Sequence, residues 1–387
     1  MAIPIKYNIR NLFVRKVSTT MTLFSIALVV AVFLALMSLA AGMSRTFTAS
    51  GEARNVIILR KSATSETSSA VTKAEYQVVR YVRGVDPGST GKPLVSAELL
   101  ILLNIPRRGQ AGATNVLVRG VNPEGFELRP QLHLVAGRLF RPGMREMIIS
   151  RSIAARFLNT DVGSRLKFGK GMWTVVGHFD AEHTASDSEM WCDANELIAE
   201  FDRQGYSSIL LRSSDPSTQA GLIAELNSDR RLQLDAMNER AFYDRQTVAA
   251  SGLRLLATIM TVFMAVGACF AAMNTMYAAV SNRTREIGTL RALGFSRGTV
   301  LLSFLIEAGL LALIGGGVGC LLALPVNGVT TGTNNFNTFA EITFNFRITA
   351  GLIVAALVLS GFLGVLGGFF PARSAARQPI IDALRAQ

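Results

Sequence analysis

Apolar residues in this chain gather into four long runs, and one long stretch between the first two mixes apolar and polar positions. The runs cover residues 21–43, 255–280, 299–326 and 348–370. A lipid core about 30 Å thick takes about 20 apolar residues in a helix, so each run predicts a membrane-spanning helix. A single charge interrupts them, Glu307 in the third. The mixed stretch shows short β-branched or aromatic runs at 56–59, 116–119, 147–149, 173–176 and 208–211, bounded by turn residues, which predict strands. Residues 152–158, 194–202 and 218–227 carry apolar positions at three- and four-residue spacing, which predicts helices between them.

The expected fold is therefore an α-helical membrane protein with four transmembrane helices and a mixed α/β extracytoplasmic domain inserted between helices 1 and 2. Its layout is spans 21–43, 251–280, 299–326 and 348–370, the inserted domain 44–250, a link 281–298, a short external loop 327–347 and a tail 371–387. Before the first span, Ile5, Ile9, Leu12 and Phe13 recur at helical spacing, with Lys6, Arg10 and Arg15 elsewhere on the wheel. That pattern predicts an interfacial helix over 1–20. Residues 62–72, rich in Ser, Thr and Ala, read as a mobile surface loop. The polar stretch 232–246 reads as a helical stalk running into the second span.

Composition agrees with a membrane: 50% of the 387 residues are hydrophobic and 17% charged. A net charge of +12 in a soluble protein would suggest nucleic acid. Its distribution excludes that partner, because residues 42–250 are close to balance, with 26 Lys and Arg against 23 Asp and Glu. The excess flanks the spans instead. Lys6, Arg10, Arg15 and Lys16 precede the first; Arg283, Arg285, Arg291 and Arg297 lie between the second and third; Arg373, Arg377 and Arg385 follow the fourth. Under the positive-inside rule both termini and the 281–298 link are cytoplasmic, in a multi-pass membrane protein.

Candidate chemistry is sparse. A phosphate-binding loop needs Gly-x4-Gly-Lys-Ser/Thr, and the nearest string, residues 163–171, has the wrong spacing. ATP hydrolysis is thus expected of a separate subunit. Gly294, Ser296 and Gly298 match the Gly-x-Ser-x-Gly nucleophile elbow, but no histidine follows His183, so hydrolase chemistry is rejected. His178, Asp180, Glu182 and His183 are a weak metal set that reads better as a strand end turning into an acidic loop. Cys192, Cys269 and Cys320 suit small apolar side chains and no disulfide framework. Ser38, Leu39 and Ala40 resemble a cleavage site, yet the first run exceeds the about 7–15 apolar residues of a signal peptide and reads as a retained span.

The informative segment is the link from Ser281 to Gly294. Ile287, Leu290 and Leu293 share one helical face, with Arg283 and Glu286 on another, which predicts a short amphipathic helix; the alternative is a basic loop held on anionic lipid. Glu307 needs a partner in the apolar span, either Arg283, Arg285 or Arg291, or a role in transport. Gly315 with Gly319, and Gly364 with Gly368, let helices approach closely, for packing within one subunit or for dimerisation.

The string from Asn282 to Gly294, the run Phe304-Leu305-Ile306-Glu307-Ala308, and the ending Phe370-Pro371-Ala372-Arg373-Ser374-Ala375-Ala376 with Pro379-Ile380 and Ala383-Leu384-Arg385 resemble the FtsX-type permease domain. MacB-like exporters, the LolC and LolE lipoprotein-extraction permeases and FtsX share that domain. A weaker resemblance, to the MacB-type periplasmic core domain, lies in Val118-Arg119-Gly120-Val121, Gly137-Arg138-Leu139-Phe140, residues 148–157, Val162-Gly163 and Trp173-Thr174-Val175-Val176-Gly177. The resemblance implies a permease of the type VII ABC transporter group, not itself an enzyme, working as a dimer of two permease copies with a dimer of ATPase subunits. ATP and Mg would sit on that partner, with no cofactor on this chain. The ATPase-coupling helix would carry Arg283, Arg285, Glu286, Ile287, Leu290, Arg291 and Leu293, and would transmit ATP-driven closure to the external domain. Expected partners further include membrane lipids and a periplasmic adaptor protein. The expected function is export of a hydrophobic, amphipathic or lipid-linked substrate; the alternative is an FtsX-like signalling scaffold that activates an external cell-wall hydrolase.

Overall fold

The computed structural model describes residues 16–109, 112–334 and 340–380. Up to residue 15, the expected interfacial helix lies outside the described residues, as does the ending from residue 381. The chain divides into two compact units: residues 1–42, 251–329 and 346–387 form one, and residues 43–250 with 330–345 form the other.

In the first unit the apolar runs are helices. Four helices among the described residues are long and apolar enough to cross a membrane: Thr19–Ser50, Glu239–Ser281, Arg297–Val326 and Ala350–Arg377. Several outrun the apolar stretches that predicted them. The first continues past Met43 because nothing breaks it before Gly51, and the hydroxyls of Thr48 and Ser50 donate back to the carbonyls of Ser44 and Thr46. The fourth was expected to give way to a tail at residue 371, yet it runs through Pro371 to Arg377. Proline removes one backbone donor from a helix. Here Pro371, Ala372, Ala375 and Ala376 are all buried, so packing holds the turn that propensity would release.

Hydroxyls set two of the helix starts. Ser296 Oγ accepts from Thr299 N at 3.2 Å, and Thr349 Oγ1 accepts from Leu352 N at 3.3 Å. Between the helices the small residues act as contact points. A Cβ at Gly319 would fall 2.5 Å from the Ala27 carbonyl oxygen of the first helix, and one at Gly315 3.1 Å from Leu23 O. A Cβ at Gly364 would fall 2.7 Å from Ala308 O, and Gly368 likewise abuts Ala308 on the third helix. All four glycines therefore serve packing within one subunit.

The second unit is built on a ten-stranded mixed sheet. Its strands are β1 (Asn55–Arg60), β3 (Val95–Pro106), β4 (Ala113–Val121), β5 (His133–Gly137), β6 (Glu146–Ser150), β7 (Arg165–Phe168), β8 (Gly171–Asp180), β9 (Glu189–Asp193), β11 (Ser208–Arg212) and β12 (Leu234–Asn238), with β2 (Val71–Thr72) and β10 (Gly205–Tyr206) as a separate pair. The order is β12-β1-β11-β3-β4-β9-β6-β8-β5, with β7 on β8; β4/β9 and β6/β8 are parallel. The helices Arg151–Arg156, Ala194–Glu200 and Gln219–Ser228 close the core formed by Ile58, Ala97, Val118, Ile149, Trp173 and Leu211. A hairpin, β13 (Thr330–Asn334) with β14 (Glu341–Asn345), completes this unit.

Two expectations fail here. The stretch 62–72 is not a surface loop: it holds the 3-10 turn Glu66–Ser68 and β2, and Ser65, Glu66, Ser69 and Val71 are buried. Glu66 is drawn inward by Arg119 of β4. The Arg119 guanidinium, 2% exposed, lies 2.8 Å from Glu66, 2.6 Å from Glu98 and 2.7 Å from Glu189, and Arg129 binds Glu98 at 2.6 Å. Nor is 232–246 one stalk. Residues 234–238 pair with β1 as an edge strand, and the helix begins only at Glu239, capped by Asn238.

Candidate functional site

The link between the second and third spanning helices folds as a helix of its own, Thr284–Ala292. A two-residue turn at Asn282 and Arg283 separates it from Ser281, with the Arg283 amide donating to Val280 O at 3.1 Å. Its far end is stopped by Gly294, whose φ of +95° is left-handed and costs a glycine little. The Phe295 amide then closes on Leu290 O at 3.2 Å, and Ser296 starts the next helix.

Arg283 fixes this helix to its neighbours. Its Nη1 donates to Glu307 Oε2 at 2.9 Å and its Nη2 to Glu307 Oε1 at 3.0 Å. The two side chains are 8% and 5% exposed. A planar guanidinium matches a carboxylate in this fork, and the pairing answers the cost of placing Glu307 in an apolar helix. Of the three arginines expected to reach Glu307, Arg283 is the one that does. The spacing had set Arg283 and Glu286 together on one helical face. Instead Arg283 occupies the cap position and turns inward, while Glu286 is exposed.

Apolar packing reinforces the pair. Ile287 is buried in a cluster with Met276 and Val280 of the second spanning helix, Val300, Phe304 and Ala308 of the third, and Ala372 and Ala375 of the fourth. One short helix is thereby packed against three long ones. Its other face is open: Arg285, Glu286 and Thr289 are exposed, Leu290 and Arg291 half-buried. Leu293, at the C-cap, is 71% exposed, although the sequence pattern grouped it with the buried Ile287. The helix ends before it, so the periodicity that would have turned it inward no longer applies.

Sequence reasoning missed the residues of the fourth helix that form the back of this cluster, Ala372 and Ala375. Their signal was available: both lie in a Pro-Ala-Arg-Ser-Ala-Ala string whose small residues permit close approach. The weak metal set is not drawn together. His178 Nε2 donates to Thr160 O at 2.8 Å, Glu182 lies 3.2 Å from His133, and His183 faces Asp187 at 3.9 Å.

Comparison with known proteins places both units. Residues 19–229 match the family model of the MacB-like periplasmic core domain, and residues 258–380 that of the FtsX-like permease C-terminal domain. The macrolide export ATP-binding/permease protein MacB of Hahella chejuensis is 28% identical over 345 residues, covering 84% of this chain and 49% of that protein. The protein of the same name from Neisseria gonorrhoeae is 30% identical over 283 residues, covering 68% of this chain and 42% of its own. The chain thus spans about half the length, or less, of these curated relatives. Among solved structures, the extracellular domain of the noncanonic ABC-type transporter YknZ from Gram-positive bacteria aligns with a TM-score of 0.36 at 19% identity, over 48% of this chain and 100% of that one. With one family model matching more than half of the chain and the second most of the remainder, the protein belongs to the ABC-type permease family that joins a MacB-like periplasmic core domain to an FtsX-like permease domain.

Proposed function

We propose that this chain is the permease of an ABC transporter in a bacterial inner membrane, and that the Thr284–Ala292 helix receives the movement of an ATPase subunit and passes it to the spanning helices. The observation that carries this reading is the fork between Arg283 and Glu307, which fastens one face of the helix inside the bundle while the other face stays open. A helix loosely laid on lipid would absorb a push by sliding. A helix joined by a buried ion pair and packed against three spans moves with them.

The surface offered to the ATPase carries Arg285, Glu286, Thr289 and Leu293 at exposed positions, with Leu290 and Arg291 beside them. The arginines flanking the spans put this end on the ATP side under the positive-inside rule, and the α/β unit on the other. ATP and Mg belong to the partner, and two permease copies and two ATPase subunits form the working assembly. The cargo is hydrophobic, amphipathic or lipid-linked, because the spans carry few polar groups with which to line a wet path. An adaptor that binds the α/β unit would lead such cargo onward.

The test is reconstitution of the permease with its ATPase in liposomes. The reading expects ATP hydrolysis that depends on the permease and rises with amphipathic cargo. Hydrolysis indifferent to cargo, together with co-purification of a cell-wall hydrolase, would replace export by signalling.

A further inference from the structure

A second site lies in the α/β unit. Arg107 and Arg108, just beyond β3, and Arg156, at the end of its helix, converge with Thr330, Thr331 and Gly332 of β13 around an open cavity of about 260 Å³. Among the described residues its cations outnumber its buried anions. Arg107 and Arg156 both bind the same oxygen of Glu341, which is 2% exposed, so one carboxylate answers two guanidiniums. Arg156 also donates to Thr343 Oγ1. Arg108 reaches Asp161 at 2.7 Å, but that partner is 65% exposed and its pairing is weakened by water.

Three further observations bear on the same site. Burial, with Arg107 adding repulsion, pushes the Arg156 guanidinium below its usual value despite the attraction of Glu341. Gly332 is a glycine because a Cβ there would collide with Glu341 and come within 2.8 Å of Arg156 Nη1, so the strand can lie directly on the ion pair. Hydroxyl-bearing Thr330 and Thr331 add potential donors to the rim.

We propose that this arginine pocket binds a phosphate-type anion. A tetrahedral oxyanion presents enough acceptor oxygens for several guanidinium forks and hydroxyls at once, whereas the two oxygens of a carboxylate do not. Two sources share that chemistry: the headgroup of an anionic phospholipid, since β13 and β14 form the link between two spanning helices, and free inorganic phosphate.

The experiment titrates orthophosphate calorimetrically into the full chain in a phosphate-free maltoside detergent, then repeats the titration with phosphatidylglycerol or phosphatidylcholine added to the micelles. Saturable binding is expected, weakened about tenfold by Arg108→Gln, the loss of one charge-assisted contact. Glu341→Gln is expected to act in the opposite direction and tighten binding, because it removes the neutralising carboxylate while keeping an acceptor for Arg107 and Arg156. Misfolding cannot produce that gain. Competition by phosphatidylglycerol but not phosphatidylcholine supports the site with a lipid source; undiminished binding in both supports it with free phosphate as the source. Absence of saturable binding, or affinity unchanged in both variants, overturns the proposal.

Discussion

Arg283 and Glu307, 24 residues apart in the chain, meet inside the helical bundle with both guanidinium Nη atoms on both carboxylate oxygens, at 2.9 and 3.0 Å. Each residue alone would be a liability there. Together they join the turn that ends one spanning helix and opens the short one to the first half of the next spanning helix.

Breaking the pair should therefore cost more than losing a surface contact. Glu307→Gln or Arg283→Gln leaves one charge buried and unanswered, and such changes cost about 3–5 kcal/mol. The double exchange Arg283→Glu with Glu307→Arg restores opposite charges and should recover part of the loss. Thermal unfolding in detergent of the parent, the two single Gln variants and the double Gln variant completes the cycle; independent, additive losses would show that the pair is not coupled.

Glycines on the third helix provide a contrast between neighbours. A side chain at Gly319 meets the backbone of the first helix, so Gly319→Leu should destabilise by at least the about 1–3 kcal/mol typical of overpacking. Gly317 faces open space within 4 Å, and Gly317→Ala should be neutral or stabilise the helix by up to about 1 kcal/mol. Unfolding temperatures of both variants decide whether the packing described is the one in the membrane.

The buried network of the α/β unit should show itself in acid. Burial alone would raise the Glu98 pKa, but Arg129 and Arg119 hold the carboxyl below its usual value. A carboxylate depressed in the folded state contributes stability above its unfolded pKa of about 4.3, and that contribution disappears as pH falls through the folded value. Glu98→Gln should thus lower stability at neutral pH and flatten its decline below about pH 4. Denaturation at several pH values will give parallel curves if Glu98 carries none of this dependence.

Much of this architecture was legible in the chain. The four spans follow from run length alone, because lipid forces a helix to be apolar throughout. The strands at β1, β4, β6, β8 and β11 announced themselves by β-branched runs bounded by turn residues. What stayed hidden depended on partners distant in sequence. Residues 62–72 look like a loop until Arg119 is placed beside Glu66, and β12 looks like a polar stalk until β1 supplies its ladder. In the Thr284–Ala292 helix the apolar face of Ile287 was readable from spacing, whereas the inward turn of Arg283 and the outward position of Leu293 arise at caps, where helical periodicity ends. The arginine pocket drew on three separated segments, and no local pattern marks it.

Exposed Leu293 separates docking from stability. Leu293→Asp should leave the unfolding free energy of the permease within about 0.5 kcal/mol of the parent, as for other surface changes, while weakening its hold on the ATPase. Co-purification of the ATPase with each form reads the second effect directly; equal yields would remove Leu293 from the docking surface.

The open face of the Thr284–Ala292 helix is expected to meet the ATPase. Photo-crosslinking in intact cells, with a benzophenone side chain placed at Leu293 or, as a control on the α/β unit, at Lys167, measures this directly. The expected result is a crosslink to the ATPase from position 293 and none from position 167. A crosslink to the ATPase from 167 but not from 293 would contradict it.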